Sequence, residues 1–304
     1  MVFIGDEYVY KVKKPVNFGF LDFSSLEKRH FYCHQEVKLN RRLSEGLYLG
    51  VLPVVYDGKT HRVAKGEGEV VDYAVKMRRI PEKMLMKSLF IDGTLQKEHL
   101  ERIAHVLAGF HQSAERSSEI DRFGEPESVR INTDENFDQT RAYVGITIDR
   151  EVFDALSEWT NEYLEKNEVL FHQRISRGKI RDCHGDLHME HIFLSDPVSC
   201  FDCIEFNDRF RYSDTLADIA FLLMDLEYWG GHDHAEELWK CYGALTGDGE
   251  MISLLNFYKV YRAYVRGKVN SFQLDDEHID REKKEETLQK AREYFELALS
   301  YKRG

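Results

Sequence analysis

The sequence predicts an α+β protein whose strands are gathered in its first quarter and whose helices fill the rest. Two observations carry that expectation. Up to about Met77, short runs of β-branched and aromatic residues alternate with turn residues. Beyond Pro81, long stretches carry apolar residues at helical spacing instead. A chain of 304 residues with 42% hydrophobic residues can build a sizeable core, so a disordered chain is excluded.

Taken in order, Val2 to Pro15 reads as a hairpin, with Tyr8, Val9, Tyr10 and Val12 as β-formers and Gly5-Asp6 as the turn. Ser25 is placed to cap a helix from Leu26 to Leu43 that ends near Gly46. Strands are expected at Leu52 to Tyr56, His61 to Val63 and Val70 to Met77. Helices follow at Leu95 to Arg116, Asp149 to Lys166, Thr215 to Tyr228, His234 to Leu245, Met251 to Lys268 and Arg281 to Tyr301. Ser113 to Asn136 is polar and turn-rich and reads as a long surface connection. Ile180 to Asp202 reads as short apolar strands around a polar loop, with Ile192-Phe193-Leu194 as one strand and Cys200-Phe201 opening the next.

Charge and composition narrow the function classes. Forty-two basic against fifty-four acidic residues give a formal net charge of -12, which repels a phosphate backbone, so no nucleic-acid partner is expected. The same field favours a cationic small substrate. No uncharged run approaches the roughly 20 residues of a membrane helix, since Ile219 to Met224 is closed off by Asp218 and Asp225, and no membrane partner is expected. Five cysteines at 33, 183, 200, 203 and 241 are odd in number, and no secretory pattern opens the chain, which points to reduced thiols in a cytoplasmic protein.

The densest chemistry lies in Cys183-His184-Gly185-Asp186-Leu187-His188-Met189-Glu190-His191-Ile192-Phe193-Leu194, followed by Phe201-Asp202-Cys203-Ile204-Glu205. A His-Gly-Asp run before an apolar strand, then an apolar-Asp step sixteen residues after the first Asp, resembles the catalytic loop and metal-binding segment of the aminoglycoside phosphotransferase and choline kinase-like family. Phosphoryl transfer needs one carboxylate to orient the acceptor hydroxyl and take its proton, and another to hold magnesium on the nucleotide phosphates. The resemblance implies a two-lobed protein-kinase-like fold, with residues 1–77 as a nucleotide-binding lobe and 78–304 as a catalytic and substrate-binding lobe. It implies Asp186 as base, with His184 bonding the loop backbone, and Asp202 as the magnesium ligand.

The position five after the base, where the family usually has an asparagine that binds a second magnesium, is His191, which the resemblance implies as a metal-site residue although an imidazole suits magnesium poorly. Lys11 and Lys13 share one strand face, and either could reach the nucleotide phosphates; the Tyr-Lys-Val arrangement resembles the apolar-lysine-apolar third strand of kinases, which implies Lys11 as the phosphate partner and Glu36 as its carboxylate. Lys76, Met77 and Arg78 resemble the strand leading into an interlobe hinge, where backbone groups meet the purine. Asp214 is expected to cap the following helix, and Asp218 to play a structural part near the loop. A glycine-rich phosphate cover has no counterpart, since only Gly5 precedes the lysine strand.

The expected function is therefore transfer of the γ-phosphoryl group of ATP or GTP, with Mg2+, to a hydroxyl of a small aminoglycoside-like, amino sugar or amino alcohol acceptor. The alternative of the same fold is a nucleotide-binding regulatory or scaffold protein. A metal-dependent hydrolase built on His184, His188 and His191 with Asp202 is disfavoured by Gly185, which argues for a loop where the histidine spacing asks for a helix. Cys200 and Cys203, on opposite faces of a strand with no second pair, read as core residues. Oligomeric state is left open.

Overall fold

The computed structural model describes residues 1–63 and 68–302. The N-terminal elements are β1 (Val2–Ile4), β2 (Tyr8–Val12), α1 (Leu26–Asn40), β3 (Tyr48–Tyr56), β4 (His61–Val63), β5 (Glu69–Arg78) and α2 (Met86–Ile91). Helices α3 (Lys97–Ser113), α4 (Ser118–Asp121), α5 (Pro126–Thr140), α6 (Arg150–Lys166) and α7 (Glu168–Ser176) come next. The chain then forms β6 (Ile180–Asp182), β7 (Ile192–Phe193), β8 (Ser199–Cys200), α8 (Asp208–Arg211) and β9 (Tyr212–Asp214). It closes with α9 (Thr215–Tyr228), α10 (His232–Thr246), α11 (Ile252–Gln273) and α12 (Arg281–Tyr301).

By contact the chain divides into two compact units, Met1–Val106 with His184–Arg211, and Leu107–Cys183 with Tyr212–Gly304. Residue 77 therefore marks the end of the β-rich stretch rather than the edge of a compact unit. The segment carrying Asp186 and Asp202 belongs to the first unit because its backbone is bonded to the end of α1, to the turn after it and to the turn before α2. Leu194 N donates to Met84 O at 2.9 Å, Cys200 N to Leu43 O at 3.0 Å and Cys203 N to Asn40 Oδ1 at 2.8 Å.

In the first unit an antiparallel sheet runs in the order β1-β2-β5-β3-β4. The period-two alternation of its strands sorts side chains to two faces. Val9, Val51, Val75 and Met77 meet Cys33 and Val37 of α1 on one face, while Val12, Val54 and Ala74 pack with Tyr10, Val63 and Val71 on the other. Helix α1 starts where Ser25 Oγ accepts the Lys28 N–H at 3.3 Å. Its inner face at Arg29, Cys33, Glu36, Val37 and Asn40 follows helical spacing yet carries three polar side chains.

The second unit is helical. Residues Thr215 to Leu226 of α9 are buried on every side, as expected of a helix that is apolar all round. A core of Phe137, Leu156, Phe221, Met224, Tyr264 and Phe295 joins α5, α6, α9, α11 and α12. Helix α5 overturns the surface connection expected at Ser113 to Asn136. Its buried face includes Thr133, Asn136 and Thr140, so the apolar period is invisible in the sequence. Thr140 Oγ1 donates to Asn136 O at 2.6 Å on the same helix, and Asn136 Oδ1 accepts Lys268 Nζ of α11 at 2.6 Å. Helices α2 and α7 were likewise not anticipated. All five cysteines are thiols, and β8 ends at Cys200, so strand alternation does not reach Cys203. No described helix is long and apolar enough to cross a membrane.

Candidate active site

The register of β2 against β5, with Lys11 opposite Val75, turns Lys11 and the following Lys13 toward α1. There they meet Glu36, whose side chain is 1% exposed. Lys11 Nζ lies 2.7 Å from Glu36 Oε1, and Lys13 Nζ 2.7 Å from Glu36 Oε2. Each lysine reaches a second acid: Lys11 bonds Asp202 Oδ1 at 2.5 Å, and Lys13 bonds Glu205. Two ammoniums and three carboxylates thus form one chain of alternating charge.

The electrostatics follow from this pairing. Burial opposes charge on Lys11, but the carboxylates of Glu36 and Asp202 outweigh it and raise its pKa well above the usual lysine range. Lys13 is raised in the same way by Glu205 and Glu36. Burial would raise Asp202 too, yet the Lys11 ammonium holds its carboxyl at about 2, so it is ionised. Glu36 is lowered against its burial by the two lysines, whereas burial keeps Glu205 above the ordinary carboxyl value.

The loop carrying Asp186 is braced by His184. A carbonyl can only accept, so His184 Nε2 donates to Phe201 O at 3.0 Å, which leaves Nδ1 to accept the Asp186 N–H at 3.3 Å. Ile204 N donates to His184 O at 3.1 Å. This one side chain therefore ties the Asp186 turn to the segment that presents Asp202. Gly185 has φ +85°, and a Cβ there would stand 2.8 Å from Phe210 O. Gly185→Ala is expected to lower stability by about 1–3 kcal/mol, read from urea denaturation; an unchanged midpoint would show that the turn absorbs a methyl group.

Asp202 itself sits at φ 62°, a left-handed conformation that aspartate tolerates better than most residues. Its N–H donates to Tyr48 Oη at 3.1 Å, and Tyr48 is 1% exposed. His191 lies between the two carboxylates, Nδ1 at 3.6 Å from Asp186 Oδ2 and Nε2 at 3.7 Å from Asp202 Oδ2. Burial, with His188 beside it, lowers its pKa. His188 Nε2 stands 3.7 Å from Asp186 Oδ2.

Beside Lys11 and Asp202 opens a cavity of about 250 Å³ with apolar walls from Val9, Met77, Ile80, Leu85 and Phe201. Met77 and Arg78 line it, and so do Arg79, Ile80 and Glu82. Lys76 does not line it. Its side chain leaves the other face of β5, with Nζ 3.8 Å from the centre of the Tyr8 ring. Arg78 N is bonded to Leu47 O and Arg79 N to Glu7 O, so backbone at 78 is still inside the sheet ladder. Met77 to Ile80, and not Lys76, thus face the cavity.

Of the residues singled out from the sequence, Lys11, Glu36, His184, Asp186, His191 and Asp202 come together in the first unit. Sequence reasoning missed Tyr48 altogether, because nothing in its local context distinguishes it from a core tyrosine. It also placed His188 only in a histidine triad, whereas His188 gathers with His191 and Asp186.

A Plasmodium vivax ethanolamine kinase has a similar fold, with a TM-score of 0.52 at 13% identity over 98% of this chain and 75% of that one. Uncharacterized proteins of Mycobacterium bovis and Mycobacterium tuberculosis are 36% identical over 270 residues, which is 88% of this chain. The chain spans about half the length of these relatives, 52% of each. The match that assigns the family covers residues 20–251, which include Glu36, Asp186 and Asp202. This kinase-like α+β chain belongs to the phosphotransferase enzyme family, APH.

Proposed function

We propose that this chain moves the γ-phosphoryl group of ATP or GTP to a hydroxyl of a small molecule, drawn from amino alcohols, amino sugars and aminoglycoside-like compounds. The observation that carries the reading is the Lys11 ammonium, 2.7 Å from Glu36 and 2.5 Å from Asp202 at the wall of the apolar cavity. Such a cavity takes a planar base, and the charged end beside it takes phosphates. Asp186 orients the acceptor hydroxyl and accepts its proton, and its loop is held for that task by His184. Lys11, positioned by Glu36, bonds the nucleotide phosphates. Asp202 is an ionised, partly exposed oxygen donor, chemistry that fits magnesium, which when bound neutralises charge on the phosphates. The net charge of -12 favours a cationic acceptor.

Calorimetric titration with Mg-ATP and Mg-GTP, followed by an acceptor screen, tests the reading. Lys11→Met is expected to weaken nucleotide binding by about 10- to 100-fold, the loss of one charge-assisted hydrogen bond. Wild-type protein that binds neither nucleotide overturns the proposal. Binding without product from any acceptor favours a regulatory protein of the same fold.

A further inference from the structure

His191 is held in the orientation of a metal ligand. Its Nδ1 lies 2.8 Å from the main-chain oxygen of Asp186, which can only accept, so the ring proton is on Nδ1. In the neutral ring Nε2 then carries a lone pair, and it faces Asp202 Oδ2 at 3.7 Å. That distance is too long for a hydrogen bond, and two lone pairs facing each other repel unless a cation is shared between them. The other oxygen of Asp202, Oδ1, is taken by Lys11. The ring is held in this pose by His188, whose centroid is 3.9 Å away, and by Phe201 at 5.7 Å. An imidazole that donates one N–H to a carbonyl and turns its second nitrogen toward a carboxylate has the second-sphere support typical of a metal ligand.

We infer that His191 Nε2 and Asp202 Oδ2 ligate one divalent cation together, and that this site selects manganese over magnesium. The inference rests on the reading of Asp202 as a metal ligand given above. Magnesium dehydrates reluctantly and takes oxygen donors. Imidazole nitrogen suits first-row transition ions, and manganese among them also accepts carboxylate and phosphate oxygen. A rival grouping of Asp186, His188 and His191 exists, their donor atoms within 4.8 Å of one another. With Asp186 Oδ2 nearest Nδ1, it draws on the ring nitrogen already committed to a carbonyl, which leaves the Asp202 side for the free one.

The test is titration with Mn2+ alone, followed by electron paramagnetic resonance of the free ion with Mg2+ as competitor, and pulsed measurement of nitrogen coupling on the bound ion. Wild-type protein is expected to bind Mn2+ with an imidazole nitrogen signal. His191→Asn is expected to lose that signal and to lower the Mn2+ to Mg2+ affinity ratio by at least about tenfold. Absence of nitrogen coupling in the wild type, or an unchanged ratio in His191→Asn, overturns the inference. So does a signal that survives in His191→Asn and disappears in His188→Asn, which assigns the ion to the rival grouping. Because the metal is added without nucleotide, the result is separable from the kinase reading. A phosphoryl-transferring protein with no nitrogen signal refutes this inference alone, and a histidine-bound manganese in a protein that binds no nucleotide refutes the kinase reading alone.

Discussion

Asp186→Asn is expected to lower kcat by about 10²- to 10⁴-fold, the usual contribution of a positioned general base, while nucleotide affinity stays near the wild-type value. The amide keeps the shape of the carboxyl but cannot take the acceptor proton. Because His184 holds this turn through the backbone N–H of residue 186, the substitution leaves the loop's bracing intact. Steady-state kinetics against the acceptor found in the screen, with calorimetry for the nucleotide, separates the two effects. Unchanged turnover removes Asp186 from the chemistry. A fall in nucleotide affinity equal to the fall in rate assigns it to binding instead.

The second large effect concerns stability. Arg174 of α7 is fully buried and bonds Asp214 twice, at 2.8 and 2.7 Å, and Asp248 at 2.5 Å. Asp214 also caps α9, accepting the Leu216 N–H at 2.9 Å. Burial opposes charge on Arg174, but Asp214 and Asp248 outweigh it and raise its pKa further. Arg174→Met leaves the Asp214 carboxylate buried without its counter-ion, whereas Asp248 keeps Lys179 at 3.0 Å. The expected loss is about 3–5 kcal/mol, the cost of breaking one side of a buried ion pair. Chemical denaturation measures it. A loss of under about 1 kcal/mol would mean that water reaches this network.

Much of the site was legible in sequence because its signals are local. Ser25 announces α1 by its cap, and Asp214 announces α9 in the same way. The His184 to Asp186 run and the Asp202 step are close in the chain, so one loop and two short strands deliver both. The end of β5 at Arg78 has no local signal, since strand-forming residues continue through Met77. Helix α5 was missed because its inward face is partly polar, and hydrophobic periodicity cannot see a threonine that bonds its own helix or an asparagine that bonds a neighbouring one.

By itself, the sequence determined the α+β class, the strands of the first quarter, most of the long helices and the family, because these depend on side-chain period, capping and short spacings. Tertiary structure alone decided that Glu36 is shared between Lys11 and Lys13, that Tyr48 supports Asp202, and that His191 turns its free nitrogen toward that carboxylate. Those pairings join residues from 11 to 154 positions apart. They are set by strand register and by how α1 seats on the sheet, and no local propensity encodes either.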